Sequence, residues 1–193
     1  MPVGEVERAV ATAAATDGIP LISMPRVEWL NTHGHFALPA AAASVVPPMQ
    51  RAFEALGGDE TEQRSKRYGR LPSDLLHSSS QTMVEVDEVQ HFTSFRLLTL
   101  DGLLDASENA GVYRALCHTW SSKADRYRAA KVAKGFPGPF GRARQRAYND
   151  LLRDLVAPLL GYQLVRIPAP LMSGQQAYSD ASRSLEHLRP SSG

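Results

Sequence analysis

Residues Arg70–Phe92 read "RLPSDLLHSSSQTMVEVDEVQHF". The stretch decides the fold because two short apolar runs flank a polar turn, which is the signature of a hairpin. The turn "HSSSQ" centres near positions 79 and 80, so paired positions sum to about 159 and Asp74 falls opposite Glu85. Directly opposed side chains in an antiparallel pair lie about 5 Å apart. Side chains alternate along a strand, so Val84 and Val86 point to a core while Glu85 and Asp87 share the other face with Asp74. His91 has the same parity and joins them if the strand stays regular, whereas Glu88 and Gln90 face the other way. Three gathered carboxylates repel one another. Water, raised pKa values or a hard cation must relieve them. The competing reading is a solvated strand edge whose charges deter aggregation.

Outward from the hairpin, helices alternate with few strands. Alanine and glutamate favour a helix over 4–15, and Met49, Ala52, Phe53 and Leu56 follow helical spacing from near Pro48 to Gly57-Gly58. "DETEQRSKRYGR" is a charged connector or helix end, and "FTSFRLLTL" (92–100) extends the second strand or forms a third. "DGLLDASEN" is a turn with a helix cap, followed by a helix over 110–128. A stripe of Tyr148, Leu151, Leu152, Leu155, Val156 and Leu159 predicts a helix over 142–160, and "YQLVRIPAP" is a strand after it. The expected class is a small α/β (α+β) domain: a mixed sheet flanked by helices. The expected organisation is an N-terminal helix and irregular segment (1–45), a core domain (46–171) and a flexible C-terminal tail (172–193).

The chain has 193 residues and a formal net charge of +1, so global charge selects no partner. A single cysteine, Cys117, excludes an internal disulfide and suits a reducing compartment. The N-terminus lacks the pattern of a secretory signal, and no apolar run approaches the roughly 20 residues of a membrane helix. The expectation is a cytoplasmic protein without a membrane partner.

"LPSD", then "VEVDEVQHF", then "RARQRAYNDLLRDLVAPLLGYQLVRIPA" together resemble the PD-(D/E)XK nuclease superfamily, in the branch of the very-short-patch repair endonucleases. The resemblance covers 70–92 and 142–169 and implies a restriction-endonuclease-like fold. It also implies an Mg²⁺- or Mn²⁺-dependent hydrolase of DNA phosphodiesters, acting in restriction, phage defence or repair. Asp74 and Glu85 would hold the metal, which activates a water and stabilises charge on the phosphate. Asp87 stands where the superfamily carries a lysine; it would join the metal set or act as a base. His91 matches the histidine that closes the motif, near the phosphate. Glu88 replaces the usual glycine. Glu54 is the candidate for an acid that many members place on a helix before the sheet.

Between 123 and 153, nine basic residues face two acids, Asp125 and Asp150. Lys123, Arg126, Arg128, Lys131, Lys134, Arg142, Arg144 and Arg146 are the nucleic-acid-binding candidates, with Tyr127, Phe136 and Phe140 to stack on bases. His33 and His35 in "THGHF" have the spacing of zinc ligands on a strand but no third ligand nearby, and Cys117 reads as core. The loss of the lysine leaves an alternative: a nuclease-fold module without catalysis that binds nucleic acid or a protein, including a second copy of itself. A plain interaction protein with a solvated acidic edge is the remaining alternative.

Overall fold

A computed structural model describes residues 4–101 and 110–190. The helices are α1 (Glu5–Thr16), α2 (Val46–Ala55), α3 (Glu60–Arg64), α4 (Ser94–Leu100), α5 (Ala110–Ala124), α6 (Gly141–Leu159) and α7 (Gly174–Leu185). The strands are β1 (Ile22–Ser23), β2 (Leu75–His77), β3 (Thr82–Asp87) and β4 (Gln163–Pro168). They form one mixed sheet in the order β1-β2-β3-β4, antiparallel except for the parallel pair β3–β4. The class is the expected α+β. The cap expected within "DGLLDASEN" lies mostly outside the described residues.

The chain divides into two compact units. The first holds 1–27, 72–88 and 161–193, and so contains the whole sheet with α1 and α7. The second holds 28–71 and 89–160. In sequence it is two insertions, one between β1 and β2 and one between β3 and β4. The second serves as the long crossover that a parallel pair requires.

In the first unit, Val84 and Val86 of β3, Leu75 of β2 and Ile167 of β4 bury one sheet face with Val6, Val10, Ala13 and Ala14 of α1. Ala177, Tyr178 and Leu185 of α7 and Leu188 complete that core. The valine face is therefore where alternation puts it. The segment expected to be a tail is instead helical. Its Ser- and Gln-rich composition hid an apolar stripe that packs on α1. A Cβ on Gly174 would come within 2.4 Å of the Ala9 Cβ, so the two helices approach closely there. The Tyr178 hydroxyl and Arg189 both donate to Asp17 Oδ2, at 2.8 and 2.7 Å, and tie α7 and the turn after it to the end of α1.

In the second unit, α6 buries Tyr148, Leu151, Leu152 and Val156, whereas Leu159 is exposed. Tyr148 belongs to an aromatic cluster with Phe53 and Phe136, centroids 5.2–5.5 Å apart. Gly34, at φ +63°, is required beside it: a Cβ would sit 2.1 Å from the Tyr148 hydroxyl. The segment 92–100 is not a strand. The Thr93 hydroxyl accepts the Arg96 N–H at 3.0 Å, which caps α4. Buried Arg96 then reaches Asp154 of α6 at 2.6 Å. Strand-like composition yields here to a cap and a tertiary ion pair.

His33 and His35 are occupied by the protein itself. A ring nitrogen of His33 bonds the Lys66 carbonyl at 2.7 Å. The Tyr148 hydroxyl accepts the His35 N–H at 2.9 Å and meets His35 Nδ1 at 2.7 Å, so it donates to that nitrogen; His35 Nε2 then donates to Gln50 Oε1 at 2.7 Å. Burial lowers the His35 pKa from its ordinary 6.5, with Gln50 opposing the shift. The native state therefore holds neutral His35, and the unfolded chain takes up its proton first. Stability is full above about pH 6.5 and declines as pH falls below it. The melting temperature is expected to drop from pH 7 to pH 5 more steeply in the wild type than in His35→Gln; equal slopes would contradict this assignment.

Candidate active site on the β2–β3 hairpin

The hairpin forms in the register its turn dictates: Leu75↔Val84, Leu76↔Met83 and His77↔Thr82. Side chains stitch the turn. Ser80 Oγ lies 2.8 Å from both His77 Nδ1 and Thr82 Oγ1. Gln81 adopts φ +53° and closes it.

Asp74 immediately precedes β2, and its Oδ2 accepts the backbone N–H of Val86 at 2.9 Å. This lodges the Asp74 carboxylate on β3 at the residue between Glu85 and Asp87. The Ser73 hydroxyl donates to Glu85 Oε1, so both residues of the "SD" pair reach across to β3. Glu85 is 3% exposed and Asp87 fully buried, on a strand held between β2 and β4. These acids do not form a solvated strand edge.

Asp87 has a partner that strand assignment alone does not reveal. β4 runs parallel to β3 with Glu85↔Arg166 in register. Arg166 NH1 donates to Asp87 Oδ2 at 2.8 Å, and both side chains are buried. A positive charge thus stands beside position 87 although the lysine is absent from it. The signal was a lone arginine inside the apolar strand "QLVRIP". A buried charge of this kind implies a partner.

Glu7 of α1 is a further acid missed in sequence. Burial raises its pKa; Arg8 opposes the shift, and the negative charges of Glu88 and Glu85 reinforce it. Glu54, the expected helix acid, is exposed in the second unit and accepts from Gln50 at 2.7 Å.

His91 does not continue the strand. β3 ends at Asp87, and Val89–His91 form a 3-10 turn. Within the second unit, His91 Nδ1 lies 3.0 Å from Asp150 Oδ2 of α6, an acid that fixes the orientation of the ring.

The basic candidates divide into two kinds. Lys123, Arg126, Arg128, Lys131, Lys134 and Arg142 are exposed. Arg144 turns inward: its guanidinium donates to the carbonyls of Leu56, Gly57, Pro137 and Pro139, tying the glycine-rich loop to the end of α2. Arg146 donates to the Gln90 carbonyl at 3.1 Å. Tyr127 is exposed, whereas Phe136 is buried in the aromatic cluster and so does not present a stacking face.

Comparison with protein-family models, curated proteins and solved structures finds no match to the chain. Among the described residues, no helix is long and apolar enough to cross a membrane.

Removing one member of a buried ion pair leaves an uncompensated charge and costs about 3–5 kcal/mol, whereas replacing both costs little. Arg166→Met should therefore destabilise by about that amount in urea unfolding, and adding Asp87→Asn to it should restore most of the loss. Additive losses would mean that the pair is not coupled.

Proposed function

We propose that this protein is a divalent-metal-dependent phosphodiesterase acting on DNA. The observation that carries the reading is the Asp74 carboxylate lodged on β3 between Glu85 and Asp87. Asp74 and Glu85 offer hard oxygen donors, and Mg²⁺ is commonly held by one or two carboxylates, with waters and phosphate oxygens completing its shell. The donor set thus fits Mg²⁺ or Mn²⁺, with Glu7 as the helix acid near it. When bound, such an ion supplies charge at the phosphate and a water of lowered pKa.

Asp87 is better placed as a positioning residue than as a ligand, because its carboxylate holds Arg166. The guanidinium then does the work expected of the absent lysine: it places a fixed positive charge on the face that carries Glu85. Ser73 orients Glu85 through its hydroxyl. His91, whose ring Asp150 orients, matches the histidine that the resemblance puts near the phosphate. The exposed cations of 123–142 supply backbone contacts. Action in restriction, phage defence or repair rests on the resemblance alone.

A second reading keeps the binding and loses the chemistry. It is favoured by the closure of Arg166 onto Asp87, a neutralised pair that need not engage a phosphate. In that case the protein binds DNA or a protein partner without cleaving.

Incubation with plasmid and with single-stranded DNA, with and without Mg²⁺ or Mn²⁺, separates the two. Cleavage should require the metal and fall at least about 100-fold in Asp74→Asn and in Glu85→Gln, since even outer-shell partners of a metal are worth roughly 10–100-fold. Melting curves confirm that the variants fold. Binding without cleavage in the wild type would remove the enzyme reading and leave the second.

A further inference from the structure

A cation-rich corner of the second unit is built around Lys66, just after α3. The loop after α5 is pinned to α3 there. The Asp59 N–H donates to the Gly135 carbonyl at 3.0 Å, the Gly135 N–H donates to Glu62 Oε2 at 3.0 Å, and Lys134 Nζ donates to the Ser65 carbonyl at 2.9 Å. Lys134 is thereby fixed on the residue next to Lys66. Lys66 Nζ donates to Gln63 Oε1 and lies 6.0 Å from the Phe136 ring centroid. A Cβ on Gly135, at φ +85°, would stand 3.1 Å from that nitrogen, so the loop backbone closes over the amine.

The charge balance of this corner is one-sided. Burial lowers the Lys66 pKa to about 8; Lys134 and Arg142 add to the shift, and Glu62 alone opposes it. Glu62 already accepts the Gly135 N–H. Lys134 and Arg142 are exposed to solvent, while Lys66 is half-buried. Cations held together against their mutual repulsion are relieved by an anion of more than one acceptor oxygen, as in a phosphate.

We propose that Lys66, Lys134 and Arg142 form a phosphate-binding subsite that takes a backbone phosphodiester of the DNA bound by the protein. The proposal rests on the nucleic-acid reading given above and adds Lys66, which lies outside the basic run of 123–153. Lys66 anchors the phosphate as a half-buried point charge, and Arg142 offers the planar fork. The shared chemistry is the phosphate group, which a polymer backbone or a free nucleotide could supply.

The test is made in EDTA, so that metal-dependent cleavage plays no part. The full chain is titrated with pyrophosphate and, separately, with a 12-nucleotide single-stranded DNA. The Lys66 side-chain amine is followed by NMR. Saturation with the oligonucleotide should raise the Lys66 pKa by about one unit, because a nearby anion favours the charged amine. Lys66→Gln should weaken oligonucleotide binding about tenfold and reduce its salt slope by about one. Lys66→Arg should keep most of the binding. A response to the oligonucleotide, with or without pyrophosphate, supports the proposal. A response to pyrophosphate alone overturns the backbone assignment in favour of a free nucleotide. No shift of Lys66 with either probe overturns the subsite altogether. Intact binding here together with absent cleavage would remove the enzyme reading and leave this subsite standing.

Discussion

The buried pair of Asp87 and Arg166 is the constraint on which the site depends. Neither side chain tolerates the interior alone, because an isolated charge in low dielectric costs several kcal/mol. Pairing them requires β4 to return parallel to β3 in one register, with Arg166 opposite Glu85. A slip of one residue would send Arg166 into the face filled by Val84, Val86 and Ile167 and leave Asp87 buried without its guanidinium. The ion pair therefore reinforces the register that burial of Val84, Val86 and Ile167 on the other face also specifies. In so doing it delivers a cation to the acidic face of the hairpin.

That face is assembled locally and completed from a distance. The tight serine-rich turn aligns β2 with β3, and the dipeptide Ser73-Asp74 reaches across: the serine takes Glu85, and the aspartate takes the Val86 N–H. Arg166 arrives from a strand almost eighty residues later. Within the first unit the layout sets buried acids beside a guanidinium on one face of the sheet.

Legibility in the sequence followed the range of the interaction. The hairpin was readable to the residue, because turn chemistry and period-two alternation are both local and agree. The helix α1 was readable from its alanine- and glutamate-rich composition, and α2 and α6 from apolar residues at helical spacing. The α4 segment was misread as a strand: Thr, Phe and Leu suit a pleated surface, and nothing local shows that Arg96 will meet Asp154. His91 shares the hairpin's acidic face only if β3 runs on, and neither glycine nor proline marks the strand's end at Asp87. The C-terminal helix hid behind polar residues whose apolar partners lie on α1. Glu54 stands on a helix before the hairpin, but nothing local shows that it lies exposed and bonded to Gln50. Arg166 was seen as a letter in a strand, and its role needed the parallel register.

The central claim is that the hairpin acids form a cation site. Its most direct test is Mn²⁺ binding to the full chain by isothermal titration calorimetry, without DNA. The account predicts a saturable site that is lost in Asp74→Asn and in Glu85→Gln and retained in His35→Gln. A wild-type protein that takes up no Mn²⁺, or binding left unchanged by both hairpin substitutions, would contradict it.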